Sequence, residues 1–468
     1  MRTFQIILLL SLLPLFGFAT TIKCNNAEYS NKKLDFYTYS DPVSSEKELV
    51  FTLEFNSDGK CTSKIDENTT LYSFSEFGLY RGMLFVEPGK TIELKLPPFR
   101  EKSFADQKNP YFSPVTFWVA TENKTDLNNK ISGFDHTLSR LTDKFFDQLY
   151  FQQSKETYDS LIFLINKDFP ETIPETFALH KKLKIKLVNA DIFRLKPEQY
   201  SEIFNSINSK FWMHPAFLQL FDKTFGGQLS YTAKSIKGGE VNKAVNSKNL
   251  PWLLNFVKTK YKVSGKMAEL VLLKMLHDGY YSGDFPKSVI KEMVNADLFR
   301  NNSNSLIKKA SENIDKKFSF LQKGNSAPPI CLNDLKDQTK CTNSNSDKFK
   351  YIVFADVEMI VCREHLKYLS KIDEMFQKYL EIYVVLRDTE TEDINTFFKE
   401  NELPAIKLTD TDNKYAEQYK IKSFPQCFLL DEKHKIVFTN TKAPLDGFEQ
   451  QFGTYLRNEL FMRQRNTD

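Results

Sequence analysis

The feature that most constrains the fold is a short apolar run, Tyr351 to Ala355, followed by an irregular break and an amphipathic segment, Cys362 to Leu380. The apolar residues of the second segment recur at helical spacing, so the pattern predicts a buried strand that leads directly into a helix. In α/β folds, the first free N–H groups of such a helix favour a negative charge. A cysteine thiolate near this helix start would therefore be stabilised.

The residues that follow alternate between strand and helix patterns. The predicted elements are strand 350–355, helix 362–380, strand 381–386, helix 391–401, strand 405–408, helix 414–419, strands 427–430 and 436–439, and a final helix 445–462. This order is typical of the thioredoxin fold. The segment 322–329 contains a glycine, serine and two prolines, and we interpret it as a linker before this domain.

The phrase YIVFADVEMIVCRE at 351–364 resembles the active-site segment of TlpA-type thioredoxin-like proteins, of the AhpC/TSA-redoxin class. In that family a strand ending in a phrase like FWASW is followed by Cys-x-x-Cys-Arg and a helix. When Cys362 and Arg363 are placed on the family's second cysteine and arginine, Met359 stands at the first cysteine, which is the attacking nucleophile. The resemblance therefore implies a thioredoxin-like fold with a degraded redox motif.

Two flanking phrases carry the same resemblance. GNSAPPICL at 324–332 is similar to the family's opening G-x-x-A-P-x-F-x-L, and YKIKSFPQCFLLDEKHK at 419–435 is similar to Y-x-V-x-x-x-P-x-x-F-L-I-D-x-x-G-K. In the family the proline of the second phrase is cis and lies against the redox cysteines, so the resemblance assigns this role to Pro425. Together the three phrases imply a thioredoxin-like domain over residues 322–468.

The first 19 residues have the pattern of a secretory signal peptide. Arg2 precedes an apolar run from Ile6 to Leu15, and the small residues Gly17 and Ala19 are typical of a cleavage site. The apolar run is shorter than the roughly 20 residues that a membrane-spanning helix needs. We therefore expect an exported protein, periplasmic or associated with the cell envelope, that keeps no membrane span after cleavage.

The chain between the signal and the last domain divides into two regions of different period. Between residues 20 and 125, short alternating strands are separated by turns such as SDGK and EPGK, which predicts an antiparallel β-sandwich. This region resembles the N-terminal β-domain that often precedes TlpA-like domains in exported Bacteroidetes proteins. Residues 126–321 have helical periodicity, which predicts a domain of roughly eight short helices. The predicted fold class is thus multidomain α+β.

Export would place the six cysteines in an oxidising compartment, where an even number usually indicates disulfides. Cys331 and Cys341 flank a stretch that we predict to be a hairpin turn, so they would face each other on paired strands. Cys24 and Cys61 both lie in the β-region. We therefore predict the bridges 331–341 and 24–61.

Whether the domain has redox activity depends on Cys362, because the ordinary two-thiol exchange cycle cannot run with Met359 at the attacking position. One interpretation is that Cys362 serves only as a small buried apolar residue. Another is a peroxidatic cysteine, but Ala355 and Met359 replace the proline and threonine of the motif P-x-x-x-T-x-x-C. A third is an altered redox pair with Cys427, which should point to the same side of its strand as Pro425.

Composition and motifs argue against several other function classes. The net charge is +4 and the basic residues are scattered, so neither nucleic acid nor an anionic membrane is implied as a partner. The histidines show no metal-ligand spacing, and nucleotide-loop and hydrolase motifs are absent, so no metal or cofactor is expected. The sequence predicts a noncatalytic or redox-degenerate module that binds another exported polypeptide. The alternative is a thiol–disulfide oxidoreductase that uses Cys362, alone or with Cys427.

We predict that the mature protein begins at Thr20, because Gly17 and Ala19 supply the small residues that a signal peptidase requires. Intact-mass spectrometry of protein from a secreting host measures this directly. An Ala19→Leu variant, which enlarges the residue before the cut, should remain uncleaved. A purified wild-type chain that still begins at Met1 would contradict both the export prediction and the disulfide argument built on it.

Overall fold

The computed structural model describes residues 19–109, 111–170, 172–236, 238–334, 337–387, 391–411 and 413–465. The chain forms two compact units, the first ending at Lys317 and the second beginning at Phe318. Except for Ala19, the predicted signal peptide lies outside the described residues. The predicted β-region and helical region both fall within the first unit up to Lys317, so the limits of the three predicted domains remain predictions.

Two β-sheets lie at the beginning of the first unit. Their strands are β1 Thr20–Asn25, β2 Lys33–Tyr39, β3 Lys47–Glu54, β4 Lys60–Ile65, β5 Leu71–Phe77, β6 Tyr80–Val86, β7 Thr91–Lys95, β8 Val115–Trp118 and β9 Ala120–Thr121. The strand orders are β4-β1-β7-β9 and β3-β2-β5-β6-β8. Most neighbours are antiparallel, as predicted, but β1 runs parallel to β7 and β6 runs parallel to β8. Residues of both sheets share one apolar core, for example Ile22 and Ile92 with Phe36 and Leu84.

Helices make up most of the remaining first unit. They are α1 Phe104–Lys108, α2 Leu127–Lys144, α3 Lys155–Asp168, α4 Glu175–Phe193, α5 Ser201–Ser206, α6 Pro215–Phe225, α7 Gln228–Ala233, α8 Gly238–Asn246, α9 Leu250–Tyr261, α10 Gly265–Ser282, α11 Lys287–Val294, α12 Asp297–Arg300 and α13 Ser305–Ser319. The described helices after residue 126 outnumber the roughly eight that periodicity predicts. Helices as short as α5, α7 and α12 contain too few turns to produce a recognisable apolar period.

Buried polar contacts join the sheets of the first unit to its helices. The Asn128 side chain of α2 accepts a hydrogen bond from the Phe85 amide (2.7 Å) and donates one to the Phe85 carbonyl (2.9 Å). Asn313 of α13 donates to the buried Asp41 carboxylate at 2.8 Å. Buried polar groups are costly unless they are paired, so these contacts fix where the helices lie on the strands.

The second unit is built around a four-stranded sheet. Its strands are β10 Cys331–Asn333, β11 Thr339–Cys341, β12 Phe349–Ala355, β13 Leu380–Arg387, β14 Ile406–Asp410 and β15 Gln426–Leu430, and its helices are α14 Ile360–Lys367, α15 Leu369–Phe376, α16 Thr391–Asn401, α17 Lys414–Gln418 and α18 Phe448–Arg465. The sheet has the order β14-β13-β12-β15, and β10 pairs with β11 separately. Strands β12, β13 and β14 are parallel, whereas β15 is antiparallel to β12. Every residue of β12 is buried.

The order of elements agrees with the prediction, with three differences. The predicted helix 362–380 is two helices, α14 and α15, on either side of Tyr368. The predicted strand 436–439 forms only an isolated bridge, Leu430 with Ile436. The segment 322–329 is not a linker, since the Gly324 amide donates to the Ile436 carbonyl at 2.7 Å. Glycine and proline content marks irregular backbone, but it does not tell a linker from a segment that packs against a sheet.

The two predicted disulfides have different outcomes. Cys331 and Cys341 face each other on β10 and β11 and are bonded, so this prediction is confirmed. Cys24 and Cys61 also face each other, on β1 and β4, but both are free thiols, so the predicted 24–61 bridge is wrong. Facing positions are therefore necessary for a bridge but do not by themselves impose one.

We predict that Phe448→Ala lowers the free energy of unfolding of the second unit by about 3–5 kcal/mol, the usual cost of removing a buried ring. Phe448 is fully buried and stacks on Tyr351, with ring centroids 3.7 Å apart. Urea-dependent hydrogen exchange of the β12 amides measures the change. The matched control is Phe461→Ala on the same helix, where the ring is exposed and the loss should be below about 0.5 kcal/mol. Equal losses for the two variants would contradict the prediction.

Candidate functional site

The candidate site lies where β12 ends and α14 begins. A tight turn connects the two elements, in which the Met359 amide donates to the Asp356 carbonyl at 3.1 Å. Met359 is the N-cap residue of α14, and its side chain forms no capping hydrogen bond. The N–H groups of the first helical turn thus point towards the position where a thiolate would be stabilised, but the residue there is a thioether.

Three consecutive apolar side chains are exposed at this helix start. Met359, Ile360 and Val361 are 40%, 69% and 56% exposed, and we refer to them as the apolar patch. Apolar side chains at a helix start usually pack inwards, and exposed ones that adjoin each other often mark a contact surface. The three apolar residues can be read directly from the sequence, but helical periodicity alone does not show that all three point to solvent.

The Phe424–Pro425 peptide bond precedes β15 and is cis. Gln426, the next residue, pairs with Phe354 near the end of β12, so Pro425 lies beside the end of that strand. The half-buried Phe424 ring contacts the guanidinium of Arg387 at 5.4 Å from the ring centroid. Pro425 is thus placed at the same end of the sheet as the start of α14.

Cys362 is fully buried in the first turn of α14, within the main core of the second unit. Burial raises the pKa of the Cys362 thiol. A hydrogen bond with the Asp356 backbone acts against this rise, and the negative charge of Asp356 adds to it. The thiol is therefore largely protonated near neutral pH and is a poor nucleophile.

Cys427 belongs to the same buried core and lies opposite Val353 in the pairing of β15 with β12. Burial raises the pKa of Cys427 to about 12, although a hydrogen bond with the Tyr351 hydroxyl lowers this pKa. Both cysteines belong to the same core cluster, and both are free thiols. The predicted pair thus shares one core without a bond between the sulfurs, and neither thiol is at the surface.

Two charged residues at this end of the sheet were missed in the sequence. Asp356 is fully buried directly after β12, and its carboxylate accepts a hydrogen bond from the Glu358 amide at 3.0 Å. Arg387 ends the neighbouring parallel strand β13, and its guanidinium lies 3.8 Å from the other Asp356 oxygen. The available signal was the position of each charge immediately after an apolar strand, because parallel strands end at one edge of a sheet.

A cleft of about 420 Å³ opens beside the helix start, between α14 and α16. Its walls include Glu358, Arg363 and Lys367 on one side and Phe397 and Asn401 on the other. The lining combines both signs of charge with one aromatic ring. Such a cleft can accept a side chain of a bound polypeptide but has no single sign of charge that would select an anion or a cation.

The comparisons with known families identify the C-terminal domain. Residues 323–439 match the model of the AhpC/TSA family. The matched segment contains β10 to β15, whose order defines a thioredoxin-like α/β domain. The chain therefore carries an AhpC/TSA-family domain at its C-terminus, as the resemblance in the sequence implies.

Solved structures from Bacteroides give matches of limited extent. One is the thioredoxin domain of a thiol-disulfide oxidoreductase from Bacteroides vulgatus, with 26% identity, coverage of 28% of this chain and 96% of that chain, and a TM-score of 0.26. Another is a thiol:disulfide interchange protein from a Bacteroides species, with 28% identity, coverage of 29% and 91%, and a TM-score of 0.26. A comparison with curated proteins finds no match.

The described segments contain no group of three or more side chains that could hold a metal ion. Within the same part of the chain, no helix is long and apolar enough to cross a membrane.

We predict that Cys362 and Cys427 react slowly with a small alkylating reagent at pH 8 in the native protein, because both sulfurs are buried and burial raises their pKa. Mass spectrometry of a labelling time course measures the rates. The matched control is Met359→Cys, which places a thiol at an exposed helix start and should react at least about tenfold faster. Native Cys362 labelled as fast as that introduced thiol would contradict the prediction.

Proposed function

We propose that this chain is an exported protein whose thioredoxin-like domain binds another polypeptide and does not catalyse thiol–disulfide exchange. The redox motif of the domain is degraded, with Met359 in place of the attacking cysteine. The binding surface consists of the apolar patch, the loop that contains Pro425 and the cleft between α14 and α16. The partner is an exported polypeptide that presents an apolar segment.

The observation that supports the proposal is which side chains are exposed and which are buried at the start of α14. The exposed position holds the thioether of Met359, and the remaining thiol, Cys362, is buried with a raised pKa. Exchange requires an accessible thiolate that attacks and a second thiol that resolves the mixed disulfide. Ile360 and Val361 extend the exposed apolar surface, and burying side chains of this size contributes about 1.5–3 kcal/mol each to a contact.

One observation favours the alternative of a thiol–disulfide oxidoreductase. Cys362 and Cys427 belong to one buried core, which the two thiols of a redox pair would also have to share. Their burial acts against this function, because a substrate disulfide has to reach one sulfur in line with the bond that breaks. The alternative therefore requires α14 to move away from β15 during the reaction.

The enzymatic alternative is tested with a model disulfide substrate. We expect the natural protein to reduce it at the background rate and Met359→Cys, which restores Cys-x-x-Cys, to gain measurable activity. The control Met359→Cys with Cys362→Ser has the attacking thiol but lacks the resolving one, so it should stop at a mixed disulfide. Strong activity of the natural protein that is lost in Cys362→Ser would overturn the proposal in favour of the alternative.

Binding is tested separately with a fluorescent, permanently unfolded polypeptide that contains no cysteine, so that no mixed disulfide can form. We expect Ile360→Glu with Val361→Glu to weaken binding by at least about tenfold, which corresponds to about 1.4 kcal/mol. Fluorescence anisotropy measures the affinity. The control Phe461→Glu changes an exposed ring on α18 and should bind like the natural protein. Unchanged affinity in the double variant would remove the apolar patch from the binding surface.

A further inference from the structure

Five rings form a buried cluster where the strands and helices of the first unit meet. They are Phe85 of β6, Trp118 of β8, Phe134 of α2, His180 of α4, and His214, which precedes α6. We call them the ring cluster. The ring centroids of neighbours lie 5.2–5.8 Å apart, with Phe85 against Trp118 and His214, and His180 against Trp118, Phe134 and His214. Two imidazoles therefore lie side by side at a junction of five elements.

The two histidines have different polar surroundings. His180 Nε2 lies 2.7 Å from one Asp135 oxygen, and Trp118 Nε1 donates to the other oxygen at 2.8 Å. His180 therefore has a carboxylate partner that can compensate a positive charge on its ring. These contacts join Asp135 to His180 and Trp118, whereas no hydrogen bond joins it to His214 Nε2.

His214 is the N-cap residue of α6. Its Nδ1 accepts a hydrogen bond from the Ala216 amide at 3.2 Å, and only 4% of the residue is exposed. A ring nitrogen can accept only when it carries no proton, so the cap requires the neutral ring with its proton on Nε2. Protonation of Nδ1 would abolish the cap and place a buried cation at the positive end of the helix dipole.

Burial and most of the charged groups around His214 act in the direction of this requirement. His180 and Lys184 act on it from α4, and Asp135 acts from α2. Burial lowers the pKa of His214 well below its usual range, and the neighbouring His180 adds to the effect. The Asp135 charge and the Thr176 backbone oppose it but do not reverse it. The packed state of the first unit is thus one in which the His214 ring is neutral.

We propose that His214 is a pH-sensitive contact that holds α6 against the ring cluster while its ring is neutral and weakens this junction under acid conditions. The direction of the pH effect on stability follows from which state of the chain binds the proton. Below about pH 6.5 the unfolded chain binds a proton at this histidine, whereas the packed first unit does not. Stability from this site is therefore complete above that pH and decreases as the pH falls.

The experiment uses the tryptophans as local probes. The chain has three, Trp118, Trp212 and Trp252, and all belong to the first unit, so their fluorescence reports on that unit alone. Urea unfolding of the full chain is measured at pH 7.0 and 5.5. Between these values a proton bound only by the unfolded chain raises the unfolding equilibrium constant about eightfold. His214→Asn, whose side chain caps a helix without titrating, should lack this contribution.

The matched control is His136→Asn, an exposed histidine on α2, which should retain the pH dependence of the natural protein. Parallel pH profiles for the natural protein and His214→Asn would overturn the proposal. If His214→Asn fails to fold, nuclear magnetic resonance of the natural protein tests the proposal through the ring signals of His214. They should stay unchanged from pH 7.5 to 5.5 while the protein is native, and a midpoint near pH 6.5 would refute the proposal.

Discussion

The complete burial of β12 is the constraint on which the second unit depends. This strand hydrogen-bonds to β13 on one side and β15 on the other, and all of its apolar side chains belong to one of two apolar cores. A shift of one residue would move every side chain to the opposite face, so the burial of both faces fixes the register. The register in turn places Asp356 at the edge of the sheet, Cys427 opposite Val353 and Pro425 beside the end of β12.

The same burial determines what the thiols can do. A thiolate in an apolar core lacks solvation, so burial keeps both Cys362 and Cys427 protonated. The helix start that would stabilise a thiolate carries Met359 instead. The start of α14 in this AhpC/TSA-family domain therefore exposes apolar side chains, while both thiols lie in the core. Under the function proposed above, this surface binds through contact area and not through covalent exchange.

The first unit depends on a different kind of contact. Its strands and helices are joined by polar groups that have specific partners, such as the buried Asn128 with the Phe85 backbone and the partly buried Asp135 with Trp118 and His180. Apolar contacts tolerate small displacements, whereas a buried hydrogen bond does not, because an unpaired polar group costs about 1–3 kcal/mol. The junction is therefore specific, and its dependence on the neutral His214 ring makes that specificity sensitive to acid.

The sequence by itself determined the features that depend on neighbouring residues. Apolar periodicity is local, so it predicted the strand at 350–355 and the alternating order that follows. The bridge between Cys331 and Cys341, which are ten residues apart, was also predicted from the sequence. Only the tertiary structure decided that Asp356 meets Arg387, that Cys24 and Cys61 face each other without a bond, and which side chains form the ring cluster. These contacts join segments that are distant in the chain, and their distances depend on strand register and helix packing, which local patterns do not encode.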